Sequence, residues 1–391
     1  MTILPRPLLA LLLALALAAP AAAHHRQTPA ILQFTTSGDV PLPRVPTPGR
    51  HKIALAVPDG SSTEVVVIQP FLTPGTQQPV PQSSGAENPA ISLSGNGIAF
   101  DTDADPLETG EPGSQVVLSF AKNLLSVSSD GTGTSANPTV DTVGLRVAFE
   151  STGDLAGTGN PGARQIFLRQ PDGSITQISG GVGTSRNPYI SAKGGLLAYE
   201  STSNPVGGDD TGISQIWLAN VYGTRTPAPI TSGAGPSRNP AISDDARIVA
   251  FESTADLAGT GADTGVPQIF TYDSKSKTYA QVTFDAGGCT LPAVQKVKRD
   301  WRIAFVCGGQ GYFFMLRADQ RFHVQTNGGL VQRVIPQLGI HFVTISTTGD
   351  LLGSGTTPNK QVYMINLYKR PPESVATGPA VWFPFQGIGP L

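Results

Sequence analysis

Apolar residues in this chain come in short bursts that never settle into a helical period. One set reads Ile98-Ala99-Phe100, Val147-Ala148-Phe149, Leu197-Ala198-Tyr199, Val249-Ala250-Phe251, Ile303-Ala304-Phe305 and Val343-Thr344-Ile345. A second reads Gln115-Val116-Val117, Gln165-Ile166-Phe167, Gln215-Ile216-Trp217, Gln268-Ile269-Phe270 and Gln361-Val362-Tyr363. Between them recurs Asn-Pro, at Asn88, Asn137, Asn187 and Asn239, spaced by 49, 50 and 52 residues, with Pro292 and Pro336 continuing the series. Runs of this length, rich in β-branched and aromatic residues and separated by turn residues, predict short strands. In the fourth copy the predicted strands span 241–243, 248–252, 268–272 and 279–283.

A four-stranded unit of about fifty residues cannot bury both of its faces alone. Stacking such units around an axis does bury them, and a repeat of this period is the mark of a β-propeller blade. Six copies predict an all-β, six-bladed propeller of four-stranded antiparallel blades over residues 51–370, with the repeats beginning near 83. The chain breaks at Pro371-Pro372, so the last blade needs a strand from elsewhere. The run 64–68 is the expected donor, because joining both ends in one blade removes a free edge, and the run 380–383 is its rival. Residues 24–50 carry five prolines and read as an extended lead-in, while 371–391 read as a tail.

Composition agrees with many strands and many turns: Gly 45, Pro 34 and 14% charged residues. A net charge of −2 supplies no electrostatic footprint for nucleic acid and no polybasic membrane patch. Residues 1–23 have the form of a secretory signal peptide, with Arg6, an apolar run over 8–19 and Ala21-Ala22-Ala23 as a small-residue cleavage site. Cleavage there would leave a periplasmic or secreted monomer with no membrane span.

The pattern Asn-Pro-x-Ile-Ser, Val-Ala-Phe-Glu-Ser, Asp-Leu and Gln-Ile-Phe, covering about residues 83–370, resembles the TolB-like, WD40-like propeller repeats of exported bacterial proteins, often called PD40 repeats. The resemblance implies fold far more than function. TolB itself carries a separate N-terminal α/β domain, which the Pro-rich lead-in here does not match, so its lipoprotein partner is not expected.

Candidate chemistry is sparse. Cys289 and Cys307 replace Ser237 and Ser253 of the fourth copy, at opposed ends of a predicted strand pair, and are expected to form a disulfide. The alternatives are two free thiols or a metal site. Loops between second and third strands carry Asp154, Asp209, Asp210, Asp256 and Asp263. The same end of each blade collects Glu150, Glu200, Glu252, Arg186 and Arg238. A residue repeated in every copy is more often scaffold than site, so the Asn is read as a turn-former bonding nearby backbone and the Glu as pairing with the Arg. The Asp-rich loops lack the alternating Asp/Asn spacing of a dedicated calcium loop, so no cofactor is expected and calcium is kept as the lesser alternative. No Gly-x-Ser-x-Gly elbow or His-rich metal motif is present. The expected function is a non-enzymatic binding or scaffold module for a protein or envelope ligand. The alternative is a propeller lyase or hydrolase acting on a carbohydrate or other envelope polymer.

Overall fold

The second and third strands of each repeat are buried on both faces, because each sheet is covered on either side by its neighbours. In the repeat around Phe251, strands Ile248–Ser253 and Gln268–Asp273 are buried nearly throughout, which explains why they read as apolar runs and do not alternate. A computed structural model describes residues 31–35, 40, 52–69, 77–110, 113–128, 133–159, 162–193, 195–204, 210–222, 226–259, 265–324, 326, 329–337, 342–352 and 359–366. All regular elements among them are strands. The expected signal peptide, the tail and most of the lead-in lie outside the described residues.

These strands form seven antiparallel sheets, six of four strands and one of three. The fold is a seven-bladed propeller, which corrects the expectation of six. The additional blade, blade 1, comprises Ile53–Asp59, Ser62–Ile68 and Gln77–Pro79. It was missed because no described strand of this blade carries the Asn-Pro signal. Its bonding nevertheless matches the others. Val80 donates to Val65 as Val282 donates to Ile269, and the Ser83 hydroxyl accepts from Val65 N–H as Thr283 accepts from Ile269. The three strands therefore hold the second, third and fourth places of a blade. Apolar clusters join every neighbouring pair of blades and return from blade 7 to blade 1, where Phe34, Leu55, Ile68, Val362 and Met364 pack together.

The ring closes on a different strand from the one expected. Ser62–Ile68 is bonded on both sides inside blade 1 and cannot complete another blade. The fourth strand of blade 7 is Ile31–Gln33, in register Ile31↔Ile365 and Gln33↔Tyr363. Phe34 N–H donates to Val362 O at 2.8 Å, and Val362 N–H donates to the Thr35 hydroxyl at 3.0 Å. The same pair of bonds ends blades 1 to 5. The sequence signal was present: Gln33-Phe34-Thr35 parallels Gln177-Ile178-Ser179 and Gln281-Val282-Thr283. In each of those blades the Ser or Thr hydroxyl also donates to the repeated Gln, as Ser179 does to Gln165 at 2.7 Å and Thr283 to Gln268 at 2.8 Å. The repeated Gln therefore clasps the outermost strand.

Antiparallel order fixes two faces for the disc. Blade-to-blade links and the loops between second and third strands share one face, the link face. The tight turns between first and second strands, and between third and fourth, share the other, the turn face.

Blade 6 holds the expected disulfide, Cys289–Cys307, with Cα atoms 4.3 Å apart at directly opposed positions. Three other blades place a hydroxyl pair there: Ser135–Ser151 at 2.9 Å, Ser185–Ser201 at 3.0 Å and Ser237–Ser253 at 2.9 Å. The covalent bond thus replaces a buried hydrogen bond at the top of the same strand pair. Blade 6 also reduces its link-face loop to Gly308-Gly309, both at positive φ (55° and 73°), which suits a two-residue hairpin turn. Replacing both cysteines by serine should restore the hydroxyl pair of the other blades yet remove the cross-link over a separation of 18 residues. A net loss of about 2–3 kcal/mol is expected in denaturant unfolding. An unchanged midpoint would show that the bond contributes nothing.

Candidate functional site

Each repeated Asn sits in a bulge of the innermost strand, with φ of 45°, 52°, 56° and 50° at Asn88, Asn137, Asn187 and Asn239. Asn tolerates this left-handed conformation better than other non-glycine residues. The bulge turns its side chain onto the second strand of its own blade. The Asn88 amide donates to Asp101 at 3.2 Å, Asn137 to Glu150 at 3.0 Å and Asn187 to Glu200 at 2.9 Å, and Asn239 donates to Glu252. The same carboxylates accept the backbone N–H of the next blade's Asn: Asn137 to Asp101 at 3.3 Å, Asn187 to Glu150 at 2.8 Å and Asn239 to Glu200 at 2.7 Å. Each of these three carboxylates therefore ties two blades together beside the axis.

This arrangement revises two expectations. The Asn side chain bonds a carboxylate and not nearby backbone. The ion pair at Glu150 comes from Arg164, at 3.2 Å, and not from a repeated Arg. It also brings in Asp101, which the sequence reading passed over although it follows Phe100 as Glu150 follows Phe149. Asp101 is only 5% exposed. Burial lifts its carboxyl to about 6, against the pull of the Asn88 amide and the Asn137 N–H. Burial also raises Glu252, opposed by Asn239, Arg238 and Arg333.

The chain of shared carboxylates runs through blades 2 to 5 and stops. In blade 6, Leu291 takes the Asn position and keeps its positive φ of 59°, while Val306 takes the carboxylate position. In blade 7 the register places Arg333 and Ser346 at these positions. The disulfide thus lies in a blade that has lost the bridging carboxylate, and where a leucine carries the left-handed backbone at a cost of about 1–2 kcal/mol.

Arg186 and Arg238 stand one residue before Asn187 and Asn239 on the innermost strands of blades 4 and 5, and both are exposed. Glu87, Ala136, Thr290 and Gln332 hold the equivalent positions in the other blades. Here the copies differ most beside the axis. The loop aspartates behave otherwise. Both oxygens of Asp154 are spent on its own loop, accepting Thr158 N–H at 2.9 Å and Gly159 N–H at 3.0 Å. Asp105 does the same with Thr109 and Gly110, which holds its carboxyl below the usual range. Asp256 and Asp350 repeat this Asp-x-x-x-Thr/Ser-Gly spacing in the sequence. Asp210 accepts Gly212 N–H at 2.9 Å. Asp209 and Asp263 lie outside the described residues.

No family model matches the chain, and no curated protein does. Solved structures do. Oligogalacturonate lyase from Vibrio parahaemolyticus is similar over 88% of this chain and 94% of its own, at a TM-score of 0.60 and 9% identity. A structure from an analysis of two prolyl endopeptidases is similar over 92% of this chain, with a TM-score of 0.55 and 12% identity. TolB from Acinetobacter baumannii is similar over 62% of this chain, at a TM-score of 0.43 and 14% identity. The chain spans about half the length of the TolB and endopeptidase structures, 54% and 52%. At these identities the likeness to the lyase and the endopeptidases is one of propeller fold. Propellers of this kind occur in proteins of different activities, so the fold leaves the function open.

Two outcomes follow from the shared carboxylates. Glu200→Ala removes the acceptor of the Asn239 N–H and one of the two acceptors of the Asn187 amide, which keeps its bond to the Asn239 side-chain oxygen at 3.3 Å, and should cost about 2 kcal/mol in denaturant unfolding. A loss below about 1 kcal/mol would mean that this bridge is not structural. Asp101 is raised in the folded protein, so its contribution is fully present below about pH 4 and is lost as pH rises towards 6. The difference in stability between Asp101→Asn and the parent should therefore change across that interval, by on the order of 3 kcal/mol. Parallel pH profiles would show that Asp101 does not titrate there. The difference is the readout because Asp244 is likewise lifted by burial to about 6.

Proposed function

We propose that the protein is an exported binding or scaffold module that engages a protein or envelope ligand through its link face. The observation that carries this reading is the division of labour beside the axis. The repeated carboxylates Asp101, Glu150 and Glu200 are occupied in holding blades together, and Glu252 in binding the Asn239 of its own blade, whereas Arg186 and Arg238 are exposed on adjacent innermost strands and have no ion pair within 4 Å among the described residues. Exposed apolar side chains ring the same face: Val182, Ile213, Phe284, Leu330 and Leu352. Large exposed apolar residues with a few charges among them are the usual make-up of a recognition surface. The Cys289–Cys307 bond supports an oxidising compartment, in keeping with the leader-like residues 1–23.

The second reading is an enzyme acting on an envelope or carbohydrate polymer. The fold-level likeness to oligogalacturonate lyase favours it, and two exposed guanidinium groups suit a carboxylated sugar chain.

Replacing Arg186 and Arg238 together by Glu tests both readings. Capture of a ligand from envelope extract by the parent, reduced at least about tenfold in the variant, is the expected result. Undiminished capture would remove the link-face site. Appearance of new chain ends when the parent is incubated with polygalacturonate would favour the enzymatic reading.

A further inference from the structure

The near-neutral chain is strongly polarised once folded. On the turn face, the tight turns expose Lys122, Lys193, Lys275, Lys277, Lys298, Arg299 and Arg317. The acids of that face are largely spent internally. Asp141 pairs with Arg146 at 3.4 Å, Asp273 with Arg247 at 2.8 Å and Asp245 with Lys296 at 2.6 Å. Asp300 accepts the backbone N–H of Arg317 at 2.7 Å. Asp244, lifted to about 6, is bonded by Gln295. Asp172 and Asp319 remain exposed there. The link face shows the reverse. Asp59, Glu87, Asp103, Glu108, Asp154, Asp210 and Asp285 are exposed against Arg186 and Arg238.

The basic charge is spread over turns of blades 2, 4, 5 and 6, across a broad face and not in a pocket. Two large apolar residues stand exposed among the cations, Tyr222 at 62% and Val143 at 52%. The Arg146 guanidinium lies 4.6 Å from the centre of the Tyr222 ring, and the Tyr222 hydroxyl donates to Lys193 O at 3.0 Å. A tyrosine held among cations suits the boundary between headgroups and acyl chains. Chain direction adds an independent point. The closing strand begins on the turn face at Ile31, and the last described strand, Gln361–Asn366, ends on it. Both ends of the described propeller therefore lie on this face.

We infer that the turn face is a docking surface for an anionic lipid bilayer, on which the propeller sits with its link face outward. Acidic groups on the link face are repelled from the same surface, so the charge separation orients the disc as well as holding it. Each basic side chain near an anionic surface contributes to binding, and salt weakens the attraction.

The test is cosedimentation of the full chain with vesicles of phosphatidylglycerol and phosphatidylcholine, against phosphatidylcholine alone. Binding to the anionic vesicles only, falling as salt is raised, is expected. Lys298→Glu with Arg299→Glu should weaken it about thirtyfold or more. Glu87→Lys with Asp103→Lys, on the link face, should leave it unchanged or tighter. If the reversal lowers the melting temperature, Lys298→Gln with Arg299→Gln replaces it, with a loss of about tenfold expected. Equal binding to both vesicle types, or indifference to the turn-face variants, would overturn the inference. So would capture by soluble polyphosphate without binding to vesicles.

Discussion

The shared carboxylate beside the axis is the interaction on which the ring depends. A propeller must hold separate sheets at a fixed angle, and apolar packing between flat faces is tolerant of sliding. Glu150 and Glu200 remove that freedom by accepting one donor from each of two blades. The left-handed Asn makes this possible, since the bulge delivers a side-chain amide to its own blade and a backbone N–H to the preceding one. Charge-assisted bonds in a buried setting are strong when every partner is present, and costly when one is lost. The motif that repeats most faithfully is therefore the one least free to do chemistry.

Departures from the repeat carry different information. Blade 6 gives up the Asn, the carboxylate and the long link-face loop together, and gains a disulfide across the same strand pair. Blade 7 substitutes Arg333 and Ser346 and borrows its outermost strand from the beginning of the chain. Closure by a strand remote in sequence ties the two ends of the propeller, so opening the ring would sacrifice the ladder of Ile31–Gln33 and the packing of Phe34 at once. The link face gathers variable loops above this frame. The turn face gathers tight turns, and with them most of the exposed lysine.

Much of this was legible in the residues. The fifty-residue period, the all-β class and the pairing of Cys289 with Cys307 follow from local pattern, because strand length, turn chemistry and opposed positions are set by nearby sequence. The seventh blade was not seen, because the Asn-Pro signal marks an innermost strand and the described strands of blade 1 lack one. The closing strand was legible in principle: Gln33-Phe34-Thr35 repeats the pattern of Gln177-Ile178-Ser179 and Gln281-Val282-Thr283, although prolines nearby masked it. Asp101 was missed because a shorter acid stands where the other copies carry Glu.

The sequence by itself determined the strands, their turns and the class of fold, since each depends on residues within one repeat. Only the tertiary structure decided how repeats are bound to one another and what each face presents. The carboxylate that joins Asn187 to Glu150 spans 37 residues, and no local pattern reports a bond of that reach. Charge is the clearest case. Summed along the chain it nearly cancels, at −2. Antiparallel order then sends turns to one side and loops to the other, and the same residues become a basic face and an acidic one.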